Sequence, residues 1–245
     1  MNPLISIIIP CYNAENWIEE SIMSALNQTY DKTEVIFVDN ESTDKSYEVA
    51  KRIQKKHNKL QVFTAPNLYR YSWEEPVNEA LKHATGEYFT ILGADDFITD
   101  DYIENIAKII SSAPDKIKVL QSPIRGIRET IDNPMGELRH DYKSMQELKQ
   151  LLFSKCPVTT PTVVYKKQLY DEGIVRWDSE NYLGAVDYEL YFNIVDNDIF
   201  IYPYPSWLGY YYRWHKDQAT WGMHKETVNY DEKIKQHWRE KWNLT

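Results

Sequence analysis

Leu4–Ile9 is an unbroken apolar run rich in β-branched residues, the pattern of a strand buried on both faces of a parallel sheet. Pro10 ends it. After a polar turn in which Asn13 is placed to cap a helix, Trp17, Ile18, Ile22, Ala25 and Leu26 form one apolar stripe at helical spacing. The rhythm then repeats. Val35–Val38 reads as a second strand and Leu60–Phe63 as a third, with a helix between them marked by Tyr47, Ala50 and Ile53. Val77, Leu81 and Ala84 mark the next helix, with Gly86 as its C-terminal stop, and Tyr88–Leu92 is a strand running straight into Gly93-Ala94-Asp95-Asp96. Strands alternating with helices predict an α/β fold with a doubly wound, mostly parallel central sheet.

After Val119 the rhythm changes. Residues 123–140 mix Pro, Gly and charge and read as an irregular or hairpin excursion. A helix is expected over Ser144–Phe153, a strand over Thr162–Tyr165 and a helix over Ala185–Val195. Trp207–Trp214 is a strand-like aromatic run, and Thr227–Trp242 a tail helix mixing Lys, Arg and Trp. With no repeat, low-complexity stretch or clear linker, residues 1–245 are expected to form a single domain, an alternating half (1–120) followed by a mixed half (121–245).

Composition narrows the function. The chain carries 28 Lys and Arg against 37 Asp and Glu, a formal charge of −9. Nucleic acid as a general partner is thereby disfavoured, since that needs a basic face to neutralise phosphates. An anionic ligand bound through a divalent cation suits such a chain, because carboxylates then act as ligands. The 19 Tyr and 8 Trp suit the faces of sugar rings, although packing accounts for most of them. Two cysteines make no disulfide framework, and there is neither a signal-peptide pattern nor a long apolar span. The chain reads as cytoplasmic.

Ligands of open α/β sheets bind beyond the carboxyl ends of the strands. Three polar sets are expected there: Pro10-Cys11-Tyr12-Asn13, Asp39-Asn40-Glu41-Ser42, and Asp95-Asp96. Adjacent carboxylates repel in a partly desolvated site, a conflict that Mg2+ or Mn2+ resolves. The alternative is a solvated turn ahead of a helix beginning near Thr99.

These residues carry a resemblance. Ser6-Ile-Ile-Ile-Pro-Cys-Tyr-Asn13, Glu34-Val-Ile-Phe-Val-Asp-Asn-Glu-Ser-Thr-Asp44, Asn78 through Ala84-Thr85-Gly86-Glu87-Tyr88, and Leu92-Gly-Ala-Asp-Asp96 occur in order. Gly184-Ala-Val-Asp-Tyr-Glu-Leu190 and Tyr212-Arg-Trp-His215 follow in the second half. The ordered set resembles the inverting glycosyltransferases of family 2, which have the GT-A fold. The resemblance implies a nucleotide-sugar-binding half (1–120) and an acceptor-binding half with the C-terminal helix (121–245). It implies Pro10 and Tyr12 against the nucleobase, Asp39 accepting from its ring N–H, and Asn13, Asn78 and Asp95 in the nucleotide-sugar site. An imide N–H favours uracil, hence a UDP-sugar donor. The resemblance further implies Asp95 and Asp96 as metal ligands with His215 as the third, and Asp187 as the base that deprotonates a glycan or other hydroxyl acceptor. Glu189 is the fallback base.

The chain departs from the family pattern in places. Gly93 stands where an Asp is common, Asn40-Glu41 replace a usual Asp-Gly, Asn193 replaces an Arg frequent after the base, and Val77 replaces an Arg, a role open to Arg70. Thr159 or Thr160, in the Cys156–Pro161 loop, is placed to touch a sugar. The tail helix, with Trp238, Arg239, Lys241 and Trp242, either packs onto the domain or lies on a membrane surface near a lipid-linked acceptor. Two other functions compete. A sugar nucleotidyltransferase would show a Gly-rich first loop, and a non-catalytic binder would not need Asp187.

Overall fold

The computed structural model describes residues 2–223, 225 and 227–244. Strand β1 (Ile5–Cys11) leads to helix α1 (Ile18–Leu26), β2 (Thr33–Asp39), α2 (Ser46–Gln54), β3 (Leu60–Thr64), α3 (Glu74–His83) and β4 (Tyr88–Ile91). These strands pair in parallel in the order β3-β2-β1-β4, which is the alternating half read from the sequence. Their side chains alternate between two apolar layers. Ile5, Ile7, Ile9, Val35 and Phe37 pack against α1 and α2, whereas Ile8, Ile36 and Val38 face α3. Burial on both faces explains why these strands are continuous apolar runs rather than alternating ones.

The chain continues through β5 (Phe97–Ile98), α4 (Tyr102–Ser112), β6 (Val119–Gln121), β7 (Ile124–Arg128), β8 (Thr130–Leu138) and α5 (Met145–Ser154). A 3-10 turn at Thr160–Thr162 precedes β9 (Val164–Lys166), α6 (Lys167–Asp171), α7 (Ser179–Tyr182) and α8 (Val186–Asp196). Then follow β10 (Ile201–Pro203), β11 (Tyr210–Trp214), α9 (Ala219–Met223) and α10 (Tyr230–Lys241). Strand β9 enters the main sheet antiparallel, between β4 and β6, and β10 closes the edge beside β6. A second sheet, ordered β5-β11-β7-β8, stands at the carboxyl end of β4. The excursion at 123–140 is thus the β7–β8 hairpin, and the aromatic run joins it in parallel as β11.

Two expectations fail locally. Asn13 is no helix cap: α1 starts later, at Ile18, and Asn13 adopts a left-handed backbone (φ 51°). Its Oδ1 instead accepts from the Thr43 N–H at 2.8 Å, and its own N–H donates to Ser42 Oγ at 3.0 Å, so it staples the first strand-end loop to the second. The acidic pair is not the cap of a helix near Thr99, because β5 intervenes and α4 begins at Tyr102. The tail helix α10 packs inward: Ile234 and Trp238 are fully buried, Trp238 stacks on Phe192, and the Trp242 Nε1–H donates to Asp196 at 2.7 Å. The tryptophans that a membrane-surface helix would expose are used in the core. Among the described residues no helix is long and apolar enough to cross a membrane.

Candidate active site

A cavity of about 930 Å³ opens beyond the carboxyl ends of β1, β2 and β4. Pro10, Tyr12 and Asn13 from the first strand-end loop, Asp95 and His215, and Thr160 and Pro161 all line it. Its size suits a ligand larger than a simple sugar.

Asp39 terminates β2 and is buried just behind Asn40 and Glu41, which line the cavity while Asp39 does not. Its Oδ2 accepts from the Ser42 N–H at 3.0 Å, while its buried Oδ1 has no partner among the described residues. A buried carboxylate oxygen left unpaired is costly, so it marks a place for an external donor. Tyr12 stands 53 % exposed at the rim, a ring free to be covered. Asn40 and Glu41, which replace the commoner Asp-Gly, serve the wall of the cavity. Asn40 Nδ2 donates to the Pro66 carbonyl at 2.7 Å, and Glu41 Oε2 accepts from the Asn67 N–H at 3.1 Å. Glu41 holds a left-handed backbone (φ 60°), the conformation for which Gly is the usual residue.

The acidic turn is anchored from behind by β11. Asp96 is buried, with Oδ1 accepting from the Arg213 N–H and Oδ2 from the Tyr210 hydroxyl, both at 2.8 Å. Burial, and then the neighbouring Asp95, hold its carboxyl well above the ordinary carboxylate range. Both of its oxygens thus already accept from β11, although Asp96 also borders the cavity. Arg213 is the residue that sequence reasoning missed. Its Nε–H donates to the Asp95 carbonyl at 2.6 Å, its other nitrogens reach Glu20 and the Glu129 carbonyl, and its guanidinium lies 4.5 Å over the Trp17 ring. Gly93 fits the same crowding: a Cβ there would stand 2.6 Å from Asp96 Oδ2 and 3.1 Å from Asp95 Oδ1. A third acid at that position would push the other two aside.

Asp95 and His215 are brought together, with Asp95 Oδ2 2.9 Å from His215 Nε2. The His215 Nδ1 is buried without a partner among the described residues. Among these residues no cluster of three His, Cys, Asp or Glu side chains is placed to hold an ion. The pair nonetheless fits two positions of a six-coordinate Mg2+ or Mn2+, whose adjacent ligand atoms, each about 2.1 Å from the ion, lie roughly 3 Å apart. Such ions keep water and substrate phosphate in their remaining positions.

Asp187 lies in the first turn of α8, half-buried, with Oδ2 accepting from Thr160 Oγ1 at 2.6 Å and Oδ1 from the Tyr188 N–H at 2.8 Å. It is not among the residues that line the cavity; Thr160 is. Burial raises its carboxyl above the ordinary value, against the lowering effect of those two hydrogen bonds. The fallback base, Glu189, is buried beneath Arg176, whose two terminal nitrogens each approach it at 3.3 Å, and it too is absent from the lining. Asn78 is likewise not brought to the cavity: it faces the second half of the chain, where its Oδ1 accepts from the Tyr170 hydroxyl at 3.2 Å. Asn193 donates to the Ile174 carbonyl at 2.7 Å. Arg70 does line the cavity, its guanidinium 4.5 Å over the Tyr71 ring.

An α/β sheet with a nucleotide-sized cavity at its carboxyl edge and an acidic turn on its wall has counterparts among solved structures. S. aureus TarS 1–349 superposes with a TM-score of 0.69 at 22% identity, covering 91% of this chain and 61% of that one. Mannosyltransferase PcManGT from Pyrobaculum calidifontis gives 0.65 at 20%, covering 100% and 71%. The fold is that of the GT-A type of glycosyltransferase. Residues 6–173 match the profile of Glycosyl transferase family 2, and the chain belongs to that family.

Its relatives carry related names. An uncharacterized glycosyltransferase of Haemophilus influenzae is 42% identical over 102 residues, 42% of this chain and 40% of that protein. A dolichyl N-acetyl-α-D-glucosaminyl phosphate 3-β-D-2,3-diacetamido-2,3-dideoxy-β-D-glucuronosyltransferase of Methanococcus voltae is 27% identical over 221 residues, 85% of this chain and 66% of that protein. The chain spans less than two thirds of the length of either relative.

Proposed function

We propose that the protein transfers a sugar from a UDP-sugar to a hydroxyl acceptor, with inversion at the anomeric carbon. Residues 1–120 supply the nucleotide wall and residues 121–245 the acceptor wall. Support comes first from the Asp95–His215 pair, a carboxylate and an imidazole 2.9 Å apart on the wall of a cavity large enough for a nucleotide sugar. The lining is acidic at Glu41, Asp95, Asp96 and Asp217, so a diphosphate needs a cation between itself and this wall. A divalent ion held by Asp95 and His215 would supply Lewis acidity to the leaving diphosphate. Arg70, which also lines the cavity, adds a positive charge.

Pro10 and Tyr12 bracket the base, and the unpaired Oδ1 of Asp39 accepts its ring N–H. Asn13 shapes this end through its loop contacts. Among the structural neighbours, TarS was solved in complex with UDP-GlcNAc and with UDP, and PcManGT with GDP-Man and Mn2+. These ligands suit a nucleotide diphosphate sugar and a divalent ion here. Inversion needs one base for the acceptor hydroxyl, and Asp187 is the carboxylate behind Thr160, which lines the cavity.

The test is a thermal-shift titration with UDP- and GDP-sugars, with and without Mn2+. UDP-sugars with Mn2+ raise the melting temperature most, by mass action on the folded state. Asp95→Ala removes the metal-dependent part of the shift. An unchanged shift in that variant would sink the metal-held diphosphate, and a larger shift with GDP-sugars would overturn the uracil reading.

A further inference from the structure

We propose that Thr160 relays the acceptor proton to Asp187, its hydroxyl lying between the cavity and the base. The inference rests on the transferase reading above. Thr160 lines the cavity and Asp187 does not, and the two are joined by a 2.6 Å hydrogen bond in which the hydroxyl donates to Asp187 Oδ2. The other Asp187 oxygen accepts from the Tyr188 amide at the start of α8. A proton leaving a hydroxyl in the cavity therefore meets Thr160 Oγ1 before it meets the carboxylate.

The turn that presents Thr160 is held from below. The Thr162 hydroxyl lies 2.8 Å from the carbonyls of both Ser122 and Thr159 and accepts from the Ser122 N–H at 3.1 Å, and the Thr159 N–H donates to Gln121 at 2.8 Å. Thr159 and Thr162 are buried and Thr160 is half-buried, so its hydroxyl belongs to a fixed turn rather than to a mobile loop. Pro161 restrains the backbone further. The titratable neighbours of Asp187 are Cys156, Tyr165 and Tyr191, each kept neutral by burial, and Asp231, which opposes its ionisation.

The step balances. As the acceptor oxygen bonds to the anomeric carbon, the anomeric bond to the diphosphate breaks and its electron pair leaves with the diphosphate. The acceptor proton passes to Thr160 Oγ1 while the Thr160 proton passes to Asp187 Oδ2, so the threonine ends neutral and Asp187 ends protonated.

Thr160→Val keeps the shape and removes the relay; Thr160→Ser keeps the hydroxyl. With UDP-sugar and Mn2+, Thr160→Val is expected to lower kcat by roughly 10²-fold at every pH, with donor binding unchanged, while Thr160→Ser stays within a few fold of wild type. A residue that only orients or tunes Asp187 behaves differently. Losing its hydrogen bond raises the Asp187 pKa, so the acid limb moves to higher pH and the full rate returns above it. Recovery of the wild-type plateau in Thr160→Val thus overturns the relay. If that variant does not fold, the proton inventory of wild-type kcat in H2O/D2O mixtures decides: curvature from two protons in flight supports the relay, and a straight line overturns it. No transfer by the wild type with any donor would overturn the transferase reading itself; full transfer in Asp187→Asn overturns Asp187 as the base and the relay with it, and loss of transfer in Asp187→Asn beside an unimpaired Thr160→Val overturns the relay alone.

Discussion

The two ends of the same three strands carry polar residues in very different states. At the amino end of β1, β2 and β4, Glu34 accepts from the Ser6 hydroxyl at 2.7 Å, the Thr85 N–H at 2.7 Å and the Gly86 N–H at 3.0 Å. Gly86 also donates to Ser6 Oγ at 3.1 Å, and a Cβ at position 86 would stand 2.8 Å from the Ser6 backbone nitrogen. Every member of that group is satisfied by another. At the carboxyl end of the same strands, Asp39 Oδ1 and His215 Nδ1 are buried without partners among the described residues. Among the described residues the Asp95 carboxylate is bonded to the His215 imidazole alone. Both ends contribute to the family resemblance, so sequence motif alone does not separate them. Hydrogen-bond satisfaction does: the closed network stabilises, and the open one waits for a ligand.

The sharpest test of this contrast is Asp187→Asn. Transfer should fall by about 10²–10⁴-fold, measured as kcat, with UDP and Mn2+ affinity within a few fold. Retained transfer would remove the base from the open end. The same variant should melt higher. The folded protein holds the Asp187 proton more tightly than the unfolded chain does, so the ionised group costs stability increasingly as pH rises through its folded pKa. Replacing it with Asn should raise the melting temperature by roughly 2–4 °C per kcal/mol recovered at neutral pH, and the gain should vanish in acid.

Glu34→Ala strikes the closed end. The Ser6 and Thr85 hydroxyls, the Thr85 and Gly86 amides and the Gln61 side-chain amide all lose an acceptor, and stability should drop by about 1–3 kcal/mol in urea titration, while the donor KM stays within twofold. A selective rise in KM without a shift in the urea midpoint would abolish the distinction between the ends. The smallest effect is expected from Asp39→Asn. UDP should bind roughly tenfold more weakly by calorimetry, as a charge-assisted hydrogen bond becomes neutral. Unchanged affinity would show that the orphaned Oδ1 does not meet the base.

The alternating half was legible because each element there is specified locally. A strand buried on two faces reads as an apolar run and a helix as a 3.6-residue stripe, and their alternation implies a parallel sheet. The second half resists such reading. Parallel pairing of β7 with β11 joins segments far apart in the chain, and antiparallel β9 enters a parallel neighbourhood, neither of which leaves a periodic trace. At the site, chemistry could be named but not apportioned. Asp95 and Asp96 look alike in sequence, and only the arrival of Tyr210 and Arg213 from behind makes one a facing carboxylate and the other an anchored one. A signal for Arg213 did exist: a lone cation inside an aromatic strand, two residues before His215, has to be buried with partners. Asn13 misled because Asn suits helix caps and left-handed turns alike, and the contact that decided between them came from residues 42 and 43.

The placement of β9 also sets an order of events during synthesis. β6 follows β4 in the chain, yet it has no place in the sheet until β9 lies between them. While a ribosome adding roughly 5–20 residues per second works from β6 towards β9, the nascent sheet ends at β4, with a row of unpaired amide and carbonyl groups on its edge. A chain cut at residue 120 keeps that edge permanently. Residues 1–120 are therefore expected to aggregate when expressed alone, and residues 121–245 act as their folding partner.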